Sequence, residues 1–344
     1  MAVTIRDVAK AAGVSLATVS RALNGSPAVT EDTRQRIAAI AARLGYVPHE
    51  GARSLSSRRT RCIGAVLPDL HGEFFSELIR GIDRAARVHG LHRLLSSSHG
   101  DAEEAGAALR AMRGRVDGLL VMSPYVDQHV LDRNLLPSMP TVLVNTAEGG
   151  GRYPSLAVDN HGGAFEMMRH LVGRGHRRIA MIAGPEDNFD ARQRLAGYAD
   201  ALHELAPGTN AQVLRGDFSE ESGYRAGQRL LAMSERPEAV FAANDMMAIG
   251  CLFAFTEAGL RVPDDIAVAG FDDVPIARYV TPPLTTVRVR IDELGEMALE
   301  RLVLAVGGPV RVAPTTQVLR TELVVRSSCA RPQAPLVAMH RKKR

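Results

Sequence analysis

The chain predicts a two-part α/β protein: an N-terminal all-α helix-turn-helix head, then a two-lobed, doubly wound core. Three observations carry this reading. Two short helical patterns flank a tight turn at Ala12-Gly13-Val14. From Cys62 onward, short apolar runs alternate with helical patterns in two successive series. Such alternation is the mark of parallel sheets wrapped by helices. Basic charge is also concentrated at one end: residues 1–61 hold 10 Lys/Arg against 4 Asp/Glu, whereas the rest holds 32 against 34.

In the head, Ile5, Val8, Ala9 and Ala12 recur at helical spacing, with Thr4 as cap and Asp7 in capping-box position. Ser15 caps a second helix whose Val19 and Leu23 face inward, leaving Leu16, Ala17, Ser20 and Arg21 outward. Two helices joined by a short Gly-containing turn place the second in a DNA major groove, although an ordinary helical hairpin has the same pattern. After the turn cluster Asn24-Gly25-Ser26-Pro27, a third helix opens at Thr30-Glu31-Asp32, carries Ile37, Ile40, Ala41 and Leu44, and stops at Gly45. So few apolar residues make a domain that is marginal alone.

In the core, Cys62–Pro68 reads as a strand and Phe74–Val88 as a helix. Leu91–Ser96 (strand), Glu103–Arg113 (helix), Asp117–Met122 and Pro140–Asn145 (strands) complete the first series. The second runs His161–Arg174 (helix), Arg178–Ala183 (strand), Arg194–Leu205 (helix), a strand from Val213, Ser222–Leu231 (helix), Ala239–Ala243 (strand), Met246–Ala258 (helix) and Ile266–Gly270 (strand). From Thr286 a connector leads to a helix over Ile291–Val306, expected to pack back on the first lobe, and Thr315–Val325 supplies closing strands. In such sheets ligands sit beyond the carboxyl ends of the strands. The Pro-rich tail ends His340-Arg341-Lys342-Lys343-Arg344, has no heptad pattern, and is expected to be disordered.

The whole is 46% hydrophobic and 23% charged, with a formal net charge of +4. No apolar run approaches bilayer length, and Arg6, Asp7 and Lys10 interrupt any signal-peptide core, so a cytoplasmic protein with no membrane partner is expected. Cys62, Cys251 and Cys329 are too scattered for a disulfide framework or a metal knuckle. No Walker loop, GxSxG elbow or HExxH is present; no enzyme, cofactor or metal is implied. Gly149-Gly150-Gly151 reads as a surface turn, and His170 and His176, at a helix end, as capping or solvated residues. The basic head on a slightly acidic body points to a polyanion partner for the head.

The stretch VTIRDVAKAAGVSLATVSRALNG, followed by GYVP-x-x-x-ARSL, resembles the head and hinge of the lactose/galactose-repressor (LacI/GalR) family of bacterial regulators. The resemblance continues through DGLLVM, RGHRRIAMIAGP, RLAGY, FAANDMMAIG, GLRVPDDIAVAGFDD and TPPLTTV as a periplasmic-binding-protein-like core. It implies a dimeric repressor that binds double-stranded operator DNA and answers to a small effector, by expectation a sugar or sugar derivative. It divides the chain into a head (1–47), a hinge helix and linker (48–61), a core (62–330) and a tail (331–344). Within the core, lobe 1 takes about 62–159 and 288–320, and lobe 2 about 160–287 and 321–330.

By the same resemblance Leu16, Ala17 and Arg21 occupy base-reading positions; Arg21 suits a bidentate pair to guanine, while Leu16 and Ala17 offer only apolar contacts. Thr4, Ser15, Thr18, Ser20 and Asn24 suit phosphate contacts. In the hinge, Leu55 matches the family's minor-groove wedge, with Ala52 and Arg53 beside it. Gly51 replaces a larger apolar residue there and lowers helix propensity by about 1 kcal/mol. Family effector positions fall on Arg194, Asn244 and Asp272, with Asp190 and Asn145 completing a polar ring and Phe74, Phe75, Phe189 and Phe218 as aromatic covers. A carboxylate beside a guanidinium suits neighbouring hydroxyls. The bland readings are that Asn244 holds its own loop, Asp273 caps a turn, and a Phe is core. Purine-binding members carry arginine where Asn188 stands and threonine where Asp190 stands, which disfavours a purine here. Control by a protein partner or by a non-sugar metabolite is the alternative, and a transport-type binding protein a remote one, opposed by the fused basic head.

Overall fold

The computed structural model describes residues 3–46, 59–125, 128–146, 151–307 and 313–329. The hinge residues Ala52, Arg53 and Leu55, with Gly51, lie outside the described residues, as do Gly149, Gly150 and the tail from 331. The chain separates into two compact units, residues 1–62 with 114–117 and the remainder.

The first unit is a bundle of α1 (Ile5–Ala12), α2 (Leu16–Leu23) and α3 (Glu31–Leu44). Thr4 and Asp7 form the reciprocal capping box: the Asp7 carboxylate accepts from the Thr4 backbone N–H and hydroxyl, each at 2.8 Å. Gly13 then ends α1 in the left-handed conformation, φ 68°, which a residue bearing Cβ adopts only with strain. Ser15 Oγ accepts from the Thr18 N–H at 3.1 Å and opens α2. Val8, Val19, Ala22, Val29 and Ile37 meet in a small core of their own.

The second unit carries two six-stranded sheets. The first contains β1 (Cys62–Leu67), β2 (His92–Ser97), β3 (Gly118–Met122), β4 (Thr141–Val144), β5 (Ser155–Val158) and β11 (Thr316–Leu319), in the order β11-β5-β4-β3-β1-β2. The second contains β6 (Ile179–Ala183), β7 (Gln212–Arg215), β8 (Ala239–Ala242), β9 (Ala267–Asp272), β10 (Thr285–Arg288) and β12 (Glu322–Val324), in the order β12-β10-β9-β8-β6-β7. Both use the same winding, in which the chain starts inside the sheet, steps to one edge and returns to build the other side. That leaves a switch point between β1 and β3 and another between β6 and β8, where a crevice opens above the strand ends.

The helices covering these sheets are α4 (Glu73–Val88), α5 (Ala102–Met112) and α6 (Gln128–Asn134) in the first series. The second series has α7 (Asn160–Gly173), α8 (Phe189–Leu205), α9 (Glu220–Leu231) and α10 (Asp245–Glu257). The last helix, α11 (Ile291–Gly307), packs on α4 and on β3 and β4, so it returns to the first lobe as its apolar stripe predicts. The chain crosses between sheets three times, at residues 158–160, 288–291 and 319–322, an arrangement suited to hinge closure.

Several elements depart from expectation. Helix α8 begins at Phe189 rather than Arg194, because Asn188 caps it by accepting from the Ala191 N–H at 2.9 Å. The supposed connector at Thr286 is strand β10, and β5 and α6 have no counterpart in the periodicity reading. Both short strands carry hydroxyls in place of apolar residues. Thr285 and Thr286 are nonetheless fully buried, their hydroxyls donating to the Arg326 carbonyl and to Asp245. Buried polar groups that find local partners leave no hydrophobic signature. The second sheet is not wholly parallel, since β12 runs antiparallel to β10. His176 is buried rather than solvated, and His170 is half-buried with its Nε2 3.2 Å from the Cys329 thiol.

Candidate functional site

On the head, the outer face of α2 presents Leu16, Ala17 and Arg21 to solvent, and Ser20 is half-buried. Leu16 is 44% exposed, so it does not serve the head's core. Of the phosphate candidates, Thr4 is held by Asp7, Ser15 and Thr18 share a hydroxyl contact at 2.9 Å, and Asn24 Nδ2 lies 3.4 Å from Ser20 Oγ. The Ser15–Thr18 contact orients both side chains at the N-terminus of α2 and Thr4 stands at the N-terminus of α1, where backbone N–H groups and the helix dipole favour an anion, whereas Asn24 and Ser20 lie at the C-terminal end of α2.

The core's site lies where the carboxyl ends of both sheets meet. A cavity of about 510 Å³ opens there, within the range of small-molecule sites. Its floor is the Arg194–Asp272 pair, with terminal nitrogen and Oδ1 3.0 Å apart and both side chains buried. Arg194 is locked from three further directions. Its Nε donates to Asn160 Oδ1 at 2.8 Å, another nitrogen donates to the Ala243 carbonyl at 2.6 Å, and the guanidinium lies 3.9 Å from the Phe271 ring centroid. Asp272 ends β9 with φ 111°, a strained value for a residue with a side chain. Its backbone carbonyl accepts from the Val289 N–H at 3.1 Å, which ties the residue to the second crossover.

Asp190, in the first turn of α8, joins this floor. It accepts from Asn160 Nδ2 at 2.9 Å and from Asn145 Nδ2 at 3.0 Å. Burial pushes the Asp190 carboxyl up to about 6, opposed by the neighbouring Arg194 and reinforced by Asp272. Burial raises Asp272 to about 6 as well, against the pull of Arg194. Behind them Asp245 is fully buried and held well above the usual carboxylate range, by burial first and then by Asp272.

Most of the predicted effector residues come together here: Phe74, Phe75, Asp190, Arg194, Phe218, Asn244 and Asp272 all line the cavity. Two do not. Asn145 sits behind Asp190; its Oδ1 accepts from the Val158 N–H, so it joins a lobe-1 loop to a lobe-2 helix instead of facing a ligand. Phe189 turns away under the Arg192 guanidinium, while its backbone N–H donates to the Pro124 carbonyl. Asn244 lines the cleft with both ends of its amide engaged. It caps α10 through the Met247 N–H and donates to the Phe218 carbonyl at 2.9 Å, the loop-holding role that its sequence position also allowed. Asp273 faces Arg288 and Arg326 rather than a turn.

Phe218 lies against Gly184, where an added Cβ would come within 2.5 Å of the ring. Phe74 and Phe75 meet edge to face, 5.5 Å between centroids, and form the opposite apolar wall. Sequence reasoning missed Asn160, the residue that bonds both Asp190 and Arg194. It follows β5, and an unrecognised strand gave no reason to inspect the residue after it. Tyr125, Asp69 and Glu73 also line the cleft without having been singled out.

A helix-turn-helix joined to a two-lobed core that encloses a polar, ligand-sized cavity defines the class of effector-regulated, DNA-binding transcription regulators. Residues 4–49 match the bacterial regulatory proteins of the lacI family, and residues 168–329 match the periplasmic binding protein-like domain. The chain is 38% identical over 335 residues to the HTH-type transcriptional repressor PurR of Proteus mirabilis, covering 95% of this chain and 97% of that one. It superposes on the lac repressor dimer bound to operator and the anti-inducer ONPF with a TM-score of 0.85, at 32% identity, covering 96% of this chain and all of that one. For the transcriptional regulator CelR in complex with cellobiose the TM-score is 0.68 at 33% identity, covering 95% and 99%. The chain belongs to the lacI family of bacterial regulatory proteins. It is a transcription regulator and not an enzyme, and it works in the cytoplasm, where its DNA lies.

Proposed function

We propose that this regulator is an operator-binding repressor, acting as a homodimer, whose DNA affinity is set by a small sugar-like effector held between the lobes. The observation that carries the reading is the buried Arg194–Asp272 pair on the floor of a cavity walled by Phe74, Phe75 and Phe218. A guanidinium and a carboxylate side by side bridge adjacent hydroxyls, while aromatic faces cover the apolar side of a sugar ring. The cellobiose-bound relative supports a carbohydrate, and the operator-bound dimer supports two heads on two half-sites.

On each head, Leu16, Ala17 and Arg21 read bases while Thr4, Ser15, Thr18, Ser20 and Asn24 contact phosphates. The hinge residues Ala52, Arg53 and Leu55 enter the minor groove, as the family resemblance implies. Effector binding changes the angle between the lobes. The crossover at Val289, bonded to the backbone of Asp272, carries that change toward the first lobe.

The test is a thermal-shift screen of the full-length protein against neutral sugars and their derivatives, since a ligand that binds the native state raises the melting temperature. A binder is then added to an operator-binding assay. Asp272→Ala is expected to abolish the response to that sugar and to leave operator affinity in its absence unchanged. A response that survives Asp272→Ala removes the residue from the site. A flat screen turns the reading toward control by a protein partner.

A further inference from the structure

The charge of the cleft narrows the class of effector further, on the reading that this cavity is the effector site. The floor holds two buried carboxylates, Asp190 and Asp272, against a single guanidinium, Arg194. Around the mouth stand Asp69, Glu73, Asp187, Asp217 and Glu220. Among the described residues lining the cavity, Arg194 is the lone Lys or Arg, joined only by His71 and His99. The chain has no lysine at all between Lys10 and Lys342. Glu73 and Glu220 make no ion pair among the described residues, and Asp217 meets Arg225 only at 3.8 Å.

The floor itself is one positive charge short. A buried, uncompensated carboxylate is costly and resolves either by taking up a proton or by acquiring a cation. Asp272 shows where the second solution fits. It is buried and lines the cavity, and its Oδ1 receives no aligned hydrogen bond although Arg194 lies 3.0 Å away. Asp190, by contrast, has both oxygens satisfied by Asn145 and Asn160. Further back, Asp273 is already neutralised by Arg288 and Arg326, and Asp245 is saturated by the Thr286 hydroxyl and the Val274 N–H. Of the two floor carboxylates Asp272 has the fewer hydrogen bonds, Arg194 being its one charged partner, and it lines the cavity, so a ligand cation is best placed against it.

We propose that the effector is a cationic polyol, of the aminosugar type, whose ammonium group sits against Asp272 and whose hydroxyls meet Arg194 and the rim. The same field repels sugar acids and sugar phosphates, so the cleft discriminates by charge as well as by shape.

Matched triplets test this with the full-length protein: glucose, glucosamine and gluconate, and the galactose and mannose counterparts, followed by titration calorimetry. Within any triplet that responds, the amine is expected to bind at least tenfold more tightly than the neutral sugar, and the acid not at all. Raising the pH from 5 to 7 is expected to strengthen amine binding about tenfold, because a floor carboxylate with a pKa of about 6 loses its proton over that interval. Glu73→Gln is expected to reduce the amine-over-neutral ratio about two- to threefold. A neutral sugar or an acid that binds best overturns the charge inference and leaves the sugar reading standing. A response to the polyamines putrescine or spermidine with none to any sugar overturns the polyol and keeps the charge. No response to any of these probes overturns both.

Discussion

The head and the cleft place their chemistry on opposite sides of the same physical boundary. The head keeps its core small and apolar, and it offers Leu16, Ala17 and Arg21 from an exposed helix face. The cleft does the reverse: Asp190, Arg194 and Asp272 are buried, and each is fixed by neighbours or by backbone strain. DNA is a large, highly charged partner that comes to the surface, so reading side chains need only a rigid, capped frame beneath them. A small effector offers little area, and its recognition relies on buried charges that a low-dielectric setting makes strong. The difference teaches that function and stability are separable in the head and entangled in the cleft.

The largest expected effect that would break this contrast is Arg194→Met. It leaves Asp190 and Asp272 buried without a cation and is expected to cost about 3–5 kcal/mol near neutral pH. Both carboxyls already stand at about 6, above the ordinary value, so their protonated forms are the ones that suit the fold. Arg194 lowers both, so its removal raises them further, and the variant's deficit is small below about pH 6 and grows as pH rises above it. Denaturation of the variant should therefore show a small deficit at pH 5 and a full one at pH 8. A deficit independent of pH would mean that Arg194 acts by packing on Phe271 rather than by charge.

Arg21→Ala is smaller and of the other kind. It is expected to relax discrimination at one base position by about 1–3 kcal/mol, with no change in melting temperature. Operator variants in a binding assay check this; an equal loss on every sequence would make Arg21 a phosphate contact. Smallest is Ser15→Ala, which removes the cap of α2 and is expected to cost the head about 1 kcal/mol. It sharpens the contrast because neither the cap nor the phosphate contact proposed for Ser15 reads sequence, so operator affinity should fall uniformly across sequences.

Much of the fold was legible because alternating apolar runs and helical stripes are local signals. Most strands and helices were located to within a few residues by that rhythm. Strands β5 and β10 escaped it, since Ser155, Thr285 and Thr286 are buried through hydroxyl hydrogen bonds that no periodicity reports. The site shows the same division. Arg194, Asp190 and Asp272 stood out as polar residues just beyond strands at family positions, and the fold brings them to one floor. Asn145 occupied an equally suggestive place and yet became a strut between lobes, because the geometry of two separate loops decides which face of Asp190 it meets.

The amino-acid sequence alone determined the helix-turn-helix, its caps, the twofold βα rhythm and the charge difference between head and body. All of these depend on residues close together in the chain or on simple sums. Only the tertiary structure decided that Arg194 is shared among Asp272, Asn160 and the Ala243 carbonyl. It alone left Asp272 short of a hydrogen bond and gathered the scattered acids of both lobes around one cavity. Those facts arise from contacts between residues tens to more than a hundred positions apart. Burial then converts those contacts into a charge imbalance, because water no longer screens it.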